Sequence, residues 1–83
     1  MRILYFAWLR EKIGAAEENL DLPPDVTTVA ALISWLKTID PAHTAAFANP
    51  KLVRCALDEE IAGPEASISG ATEIAFFPPV TGG

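Results

Sequence analysis

Thr28-Val29-Ala30-Ala31-Leu32-Ile33-Ser34-Trp35-Leu36-Lys37-Thr38-Ile39-Asp40-Pro41 is the stretch that decides the fold. Val29, Leu32, Ile33 and Leu36 recur at i, i+3, i+4 and i+7, which draws one apolar stripe along a helix. Thr27 or Thr28 can cap its start, because a threonine oxygen accepts from a first-turn N–H that has no partner within the helix. Asp40-Pro41 stops it after residue 39. A helix with a single apolar face needs a second layer to bury that face, and the flanking sequence supplies strands for it.

Upstream, residues 2–8 (Arg2-Ile3-Leu4-Tyr5-Phe6-Ala7-Trp8) are rich in aliphatic and aromatic side chains and too short for a stable isolated helix, which predicts a strand. Alternation places Ile3, Tyr5 and Ala7 on one face and Leu4, Phe6 and Trp8 on the other. Residues 9–13 read as a short helical turn closed by Gly14, residues 15–19 as a polar crossing, and residues 19–22 as a second strand ended by Pro23-Pro24. Downstream, residues 41–50 read as a loop with a turn of helix at Ala45-Ala46-Phe47, and residues 51–57 as a strand. Asp58-Glu59-Glu60 is its turn, Ile61-Ala62 a short return, and residues 72–77 the last strand. One main helix on one face of a small mixed sheet is the ubiquitin-like β-grasp arrangement, an α+β fold. Element order alone leaves a ferredoxin-like layer fold as the alternative.

Eighty-three residues, 51 % of them hydrophobic, make one small domain whose apolar residues are too dispersed for a membrane span. Six basic against eleven acidic side chains give a net charge of −5, which disfavours nucleic acid and anionic membranes and suits a partner with a basic docking surface. Arg10, Glu11 and Lys12 follow the apolar opening where a signal peptide would carry small residues, so a cytoplasmic protein is expected. With Cys55 the only cysteine and His43 the only histidine, neither an internal disulfide nor a zinc cluster can be built.

The chain closes on Phe76-Phe77-Pro78-Pro79-Val80-Thr81-Gly82-Gly83. Each proline fixes φ and lacks an N–H, so Pro78-Pro79 should end the strand and send the remaining residues out as a stiff, extended segment. Gly82 and Gly83 have no Cβ and can pass a slot too narrow for other residues. The expected organisation is a folded domain over residues 1–77 and an extended tail over residues 78–83, with the Gly83 carboxylate as the site of chemistry.

The sequence resembles the small, sulfur-carrying subunits of molybdopterin synthases, a β-grasp family, over nearly its whole length. The most specific match is Glu73-Ile74-Ala75-Phe76-Phe77-Pro78-Pro79-Val80-Thr81-Gly82-Gly83. Weaker matches are Ile3-Leu4-Tyr5-Phe6-Ala7 with Leu9-Arg10-Glu11, Thr28-Val29-Ala30-Ala31-Leu32, and Ala56-Leu57-Asp58-Glu59. Two loops depart from it: the family commonly has asparagine where Asp58 stands, and an Asp-Gly-Asp turn where this chain has Ser69-Gly70-Ala71-Thr72. The resemblance implies that a ubiquitin-activating-like adenylyltransferase uses ATP to adenylate Gly83, and that sulfur from a persulfide donor replaces AMP to leave a thiocarboxylate. It further implies that Pro78, Pro79, Val80, Thr81, Gly82 and Gly83 thread into the synthase large subunit of a heterotetramer. There the sulfur passes to a cyclic pyranopterin precursor and builds the dithiolene that later holds molybdenum. Acid–base groups would belong to the large subunit, and the small one binds no cofactor or metal of its own. The Gly-Gly end also fits carriers for thiamin or tRNA thiolation and ubiquitin-like protein modifiers, while an interaction module with an inert tail is the reading from another class.

Three side chains are candidates for the partner interface. If Ile3, Tyr5, Ile74 and Phe76 face the helix, alternation forces Leu4, Phe6 and Phe77 onto the outer face of the sheet, and a small domain rarely leaves such a patch wet. Cys55 sits in an apolar run with only Arg54 nearby to lower its pKa, which predicts a buried structural thiol. His43 is expected as a solvated loop side chain, and Asp58-Glu59-Glu60 as a solvated turn.

Overall fold

In the structure, a computed structural model that describes residues 1–79, the helix at the centre of the sequence is α2, Val29–Leu36. Thr28 caps it, its Oγ1 accepting from the Ala31 N–H at 3.1 Å. Val29, Leu32 and Leu36 are buried, so the stripe read from the sequence is the face laid on the sheet. The α-helix ends at Leu36 rather than at residue 39; residues 37–39 continue as turns.

The sheet contains β1 (Arg2–Tyr5), β2 (Glu17–Asn19), β3 (Arg54–Leu57), β4 (Glu60–Ala62) and β5 (Glu73–Phe77), in the order β2-β1-β5-β3-β4. β1 and β5 are parallel neighbours at the centre, and the other pairings are antiparallel. First and last strands side by side, with one main helix across them, make the ubiquitin-like β-grasp. Ile3, Tyr5, Ile74 and Phe76 point inward and are at most 1 % exposed. Tyr5 stacks on Phe76 with ring centroids 6.3 Å apart, and Phe47 meets Phe76 edge-on at 4.9 Å, so three aromatic rings fill the centre of the core.

Several boundaries differ from the sequence reading. β1 stops at Tyr5 because Ala7 takes φ 56° and turns the chain into α1, Trp8–Ile13, which buries Leu9 and moves Trp8 off the sheet. Gly14 closes α1 in the left-handed conformation, as its lack of a Cβ allows. β2 lies at Glu17–Asn19, within the predicted polar crossing, and residues 20–22 are outside it. Residues 41–46 are a helix, α3 (Pro41–Ala46), rather than a loop: Asp40 ends the preceding turns and also caps α3, accepting from the His43 N–H at 2.8 Å, with a proline in the first turn. β3 begins only at Arg54, after a 3-10 turn over Pro50–Leu52.

His43 overturns its expectation outright. It is 3 % exposed, with Nε2 2.7 Å from Glu18 Oε1 and Nδ1 2.8 Å from Asp40 Oδ1. The Tyr5 hydroxyl donates to the same Glu18 oxygen at 2.8 Å. The folding of residues 41–46 into α3 turns the ring inward, where two carboxylates satisfy it.

Candidate functional site

The outer face of the sheet follows from parity and register. With Ile3, Tyr5, Ile74 and Phe76 inside, the alternate residues of each strand face away from α2. Register then aligns Leu4 with Ala75, Ala75 with Ala56, and Ala56 with Ile61, which makes one apolar row across four strands. A second row places Phe77 opposite Arg54, with Phe6 on the other side, where its N–H donates to the Phe76 carbonyl at 3.0 Å. Beyond the apolar row lies a charged border: Arg2 bridges Glu17 at 3.2 Å and Glu73 at 3.4 Å.

Leu4, Phe6 and Phe77 therefore share one face, as their spacing predicts. Phe6 is 47 % exposed and Ile61 75 % exposed, while Leu4 and Phe77 are half-buried by their neighbours. Ala56, Ala75, Ile61 and Arg54 belong to the same surface and were not singled out in the sequence. Strand alternation could have placed each on a face, but only the β3–β5 and β3–β4 registers bring them into line with Leu4 and Phe77. Ala7, with its positive φ, follows Phe6 directly and holds the chain in a conformation that costs an L-residue energy.

β5 is the middle strand of the five, and it runs directly into Pro78 and Pro79, both half-buried. The chain thus leaves the sheet beside Phe77. Val80, Thr81, Gly82 and Gly83, the remaining residues of the expected tail, lie outside the described residues.

The other candidate groups are held in structural contacts. Cys55 is buried, its thiol donates to the Ala62 carbonyl at 3.3 Å, and burial pushes its pKa up, away from the thiolate that sulfur chemistry would need. Asp58 Oδ1 accepts from the Thr72 hydroxyl at 2.9 Å, the Thr72 N–H at 3.1 Å and the Glu73 N–H at 3.0 Å. The Thr72 hydroxyl leads the causes that hold this carboxyl below its ordinary range. The two loops that depart from the family pattern are thus bonded to each other. Asp58 and Glu59 have φ of 45° and 74°, the paired left-handed conformations of a two-residue hairpin turn. Among the described residues, no group of three or more His, Cys, Asp or Glu could hold a metal ion, and no helix is long and apolar enough to cross a membrane.

Residues 3–83 match the model of the ThiS family. The chain is 34 % identical over 83 residues to the molybdopterin synthase sulfur carrier subunit of Haemophilus influenzae, covering 100 % of this chain and 99 % of that protein. It is 30 % identical over 83 residues to the subunit of the same name from Escherichia coli, again covering 100 % of this chain and 99 % of the relative. Among solved structures, SAMP1 from Haloferax volcanii superposes with a TM-score of 0.72 at 26 % identity, covering 100 % of this chain and 98 % of that one.

Proposed function

The chain belongs to the ThiS family, and from that premise we propose that it is the sulfur-carrying small subunit of a molybdopterin synthase. The observation that carries this reading is the position of β5: the central strand delivers Pro78-Pro79 out of the sheet at the edge of the Leu4–Phe6–Phe77 surface. A protein that docks on that surface meets the C-terminal segment at once. The partner is the synthase large subunit, and docking aligns the tail before any chemistry occurs, which removes most of the search that a free tail would make.

The chemistry belongs to Gly83. A carboxylate is a poor electrophile, so an adenylyltransferase first converts it with ATP to an acyl adenylate, releasing pyrophosphate. A persulfide donor then displaces AMP to form an acyl disulfide, and a thiol reductant cleaves its S–S bond to leave a thiocarboxylate, whose sulfur is a soft nucleophile at neutral pH. That sulfur attacks the pyranopterin precursor in the large subunit, water then hydrolyses the resulting acyl–sulfur bond to leave the sulfur on the pterin and regenerate the carboxylate, and two such transfers complete the dithiolene. The small subunit contributes a reactive end, a rigid launch through Pro78-Pro79, and a grip.

The test is single-turnover transfer. Thiocarboxylated protein mixed with the cognate large subunit and the cyclic precursor should lose its sulfur and yield dithiolene, two carriers consumed per pterin. A loaded carrier that leaves the precursor untouched but supplies sulfur to a thiamin or tRNA thiolation system would contradict the assignment.

A further inference from the structure

A groove of about 500 Å³ opens between α2 and the β3–β4 edge of the sheet. Val29, Ile33, Val53 and Ala62 are among its apolar lining, and Lys51 and Arg54 among its polar lining. No buried side-chain nitrogen or oxygen among the described residues lacks a partner, so no buried polar group waits to orient a small ligand. What the groove offers instead is main chain.

β4 is an edge strand. Asp58 N–H donates to the Glu73 carbonyl at 3.0 Å, so the even-numbered residues of β3 and its turn direct their backbone toward β5, and Cys55 and Leu57 direct theirs toward β4. Cys55 and Leu57 therefore bond to Ala62 and Glu60, and Ile61, opposite Ala56, turns its N–H and C=O outward. An extended segment can pair with those groups as a sixth strand.

Charge selects the segment. Neither Lys51 nor Arg54 has an ion-pair partner among the described residues, in a chain whose net charge is −5. Arg54 lies toward the Gly63 end of the edge, since Cys55 pairs with Ala62, whereas Glu59 and Glu60 occupy the other end. A complementary strand carries a carboxylate at the Gly63 end, apolar residues in the middle, and a neutral or basic residue beside Glu60. The groove is also continuous with the outer face, because Ile61 and Arg54 line both.

We propose that the docking surface wraps around the β4 edge, and that the α2–β4 groove takes an extended, acidic-ended apolar segment of the large subunit, paired to the main chain of Ile61. The proposal rests on the small-subunit reading and is tested separately from it. Hydrogen exchange of the full-length chain, resolved at single amides, is measured alone and with the purified cognate large subunit, and affinity is measured for Lys51→Glu and for Lys12→Glu as a control on α1. Ile61 should exchange about tenfold or more slowly in the complex, and Lys51→Glu should weaken binding about tenfold while Lys12→Glu does not. A complex that slows exchange around Leu4, Phe6 and Phe77, leaves Ile61 at its free rate and tolerates Lys51→Glu would overturn the groove and leave the small-subunit reading standing. If the wild-type chain binds no large subunit, that reading fails and takes the groove with it.

Discussion

His43 is held by two carboxylates, one on each ring nitrogen, and this geometry biases its charge. A neutral imidazole donates through one nitrogen only and would turn a lone pair on the other carboxylate, so this arrangement favours the doubly protonated ring. Burial by itself would lower its pKa; the hydrogen bonds to Asp40 and Glu18 and the attraction of both charges outweigh that and raise it above the ordinary value. A raised folded pKa stabilises the fold fully below the unfolded value of about 6.5 and ceases to do so as pH rises through the folded value. Thermal melts should therefore show the wild-type advantage over His43→Gln shrinking as pH climbs from about 6.5, with the His43 ring titrating over the same interval by NMR. A constant difference across that range would show that the ring is neutral. Asp58 and Thr72 invite a second test, since the two positions that leave the family pattern share one hydrogen-bond cluster. Asp58→Ala and Thr72→Ala should each lower the melting temperature, and the double variant should lose less than the sum of the two. Strict additivity would mean that the contact contributes nothing.

β5 presents Phe76 to the core and Phe77 to the outer face, so adjacent phenylalanines should fail in different assays. Phe76→Ala should cost about 3–5 kcal/mol of stability, whereas Phe77→Ala should leave the fold nearly intact and weaken large-subunit binding by about 1–3 kcal/mol. Calorimetry of unfolding and of association separates the two, and the opposite pattern would refute the assignment of faces. This division was legible in the sequence because strand alternation has a period of two and the inward set is uniformly large and apolar. β2 and α3 were not legible for a shared reason. Glu18 reads as a surface residue until His43, 25 positions away, is folded beneath it, and Pro41 reads as a stop until Asp40 is seen to cap a new helix. The same limit hid Ala56, Ala75 and Ile61, whose alignment with Leu4 depends on registers that no local pattern encodes. In the segment beyond β5, Gly82 and Pro79 should differ in kind. If the proposed function holds, a Cβ at Gly82 would meet a steric test in both the activating enzyme and the synthase, so Gly82→Val should block loading or transfer at any concentration. Pro79→Ala should cost only about 0.4–1 kcal/mol of ordering entropy and be rescued by more protein. Wild-type transfer by Gly82→Val would show that no narrow slot is passed.

The molecule as a whole has a closed inner side that supplies its stability and an apolar outer side that the proposed function assigns to docking. α1, α2 and α3 close the inner face over Tyr5, Phe47 and Phe76, while the outer face keeps an apolar row open and carries the central strand toward the C-terminal segment. The candidate polar groups are taken up in structural contacts: Cys55 is buried with its pKa raised, His43 is buried between two carboxylates, and Asp58, on an exposed turn, is bonded to Thr72 and Glu73. In the proposed function the reactive group is the Gly83 carboxylate, and its conversion to a thiocarboxylate is the central claim. The direct measurement is the intact mass of the full-length chain after incubation with ATP, the cognate adenylyltransferase and a sulfur donor, beside a chain lacking Gly83. The full-length chain should gain a mass equal to the difference between one sulfur and one oxygen atom, and the shortened chain should gain none. An unchanged mass with an activating enzyme shown to be competent, or an equal gain without Gly83, would contradict it.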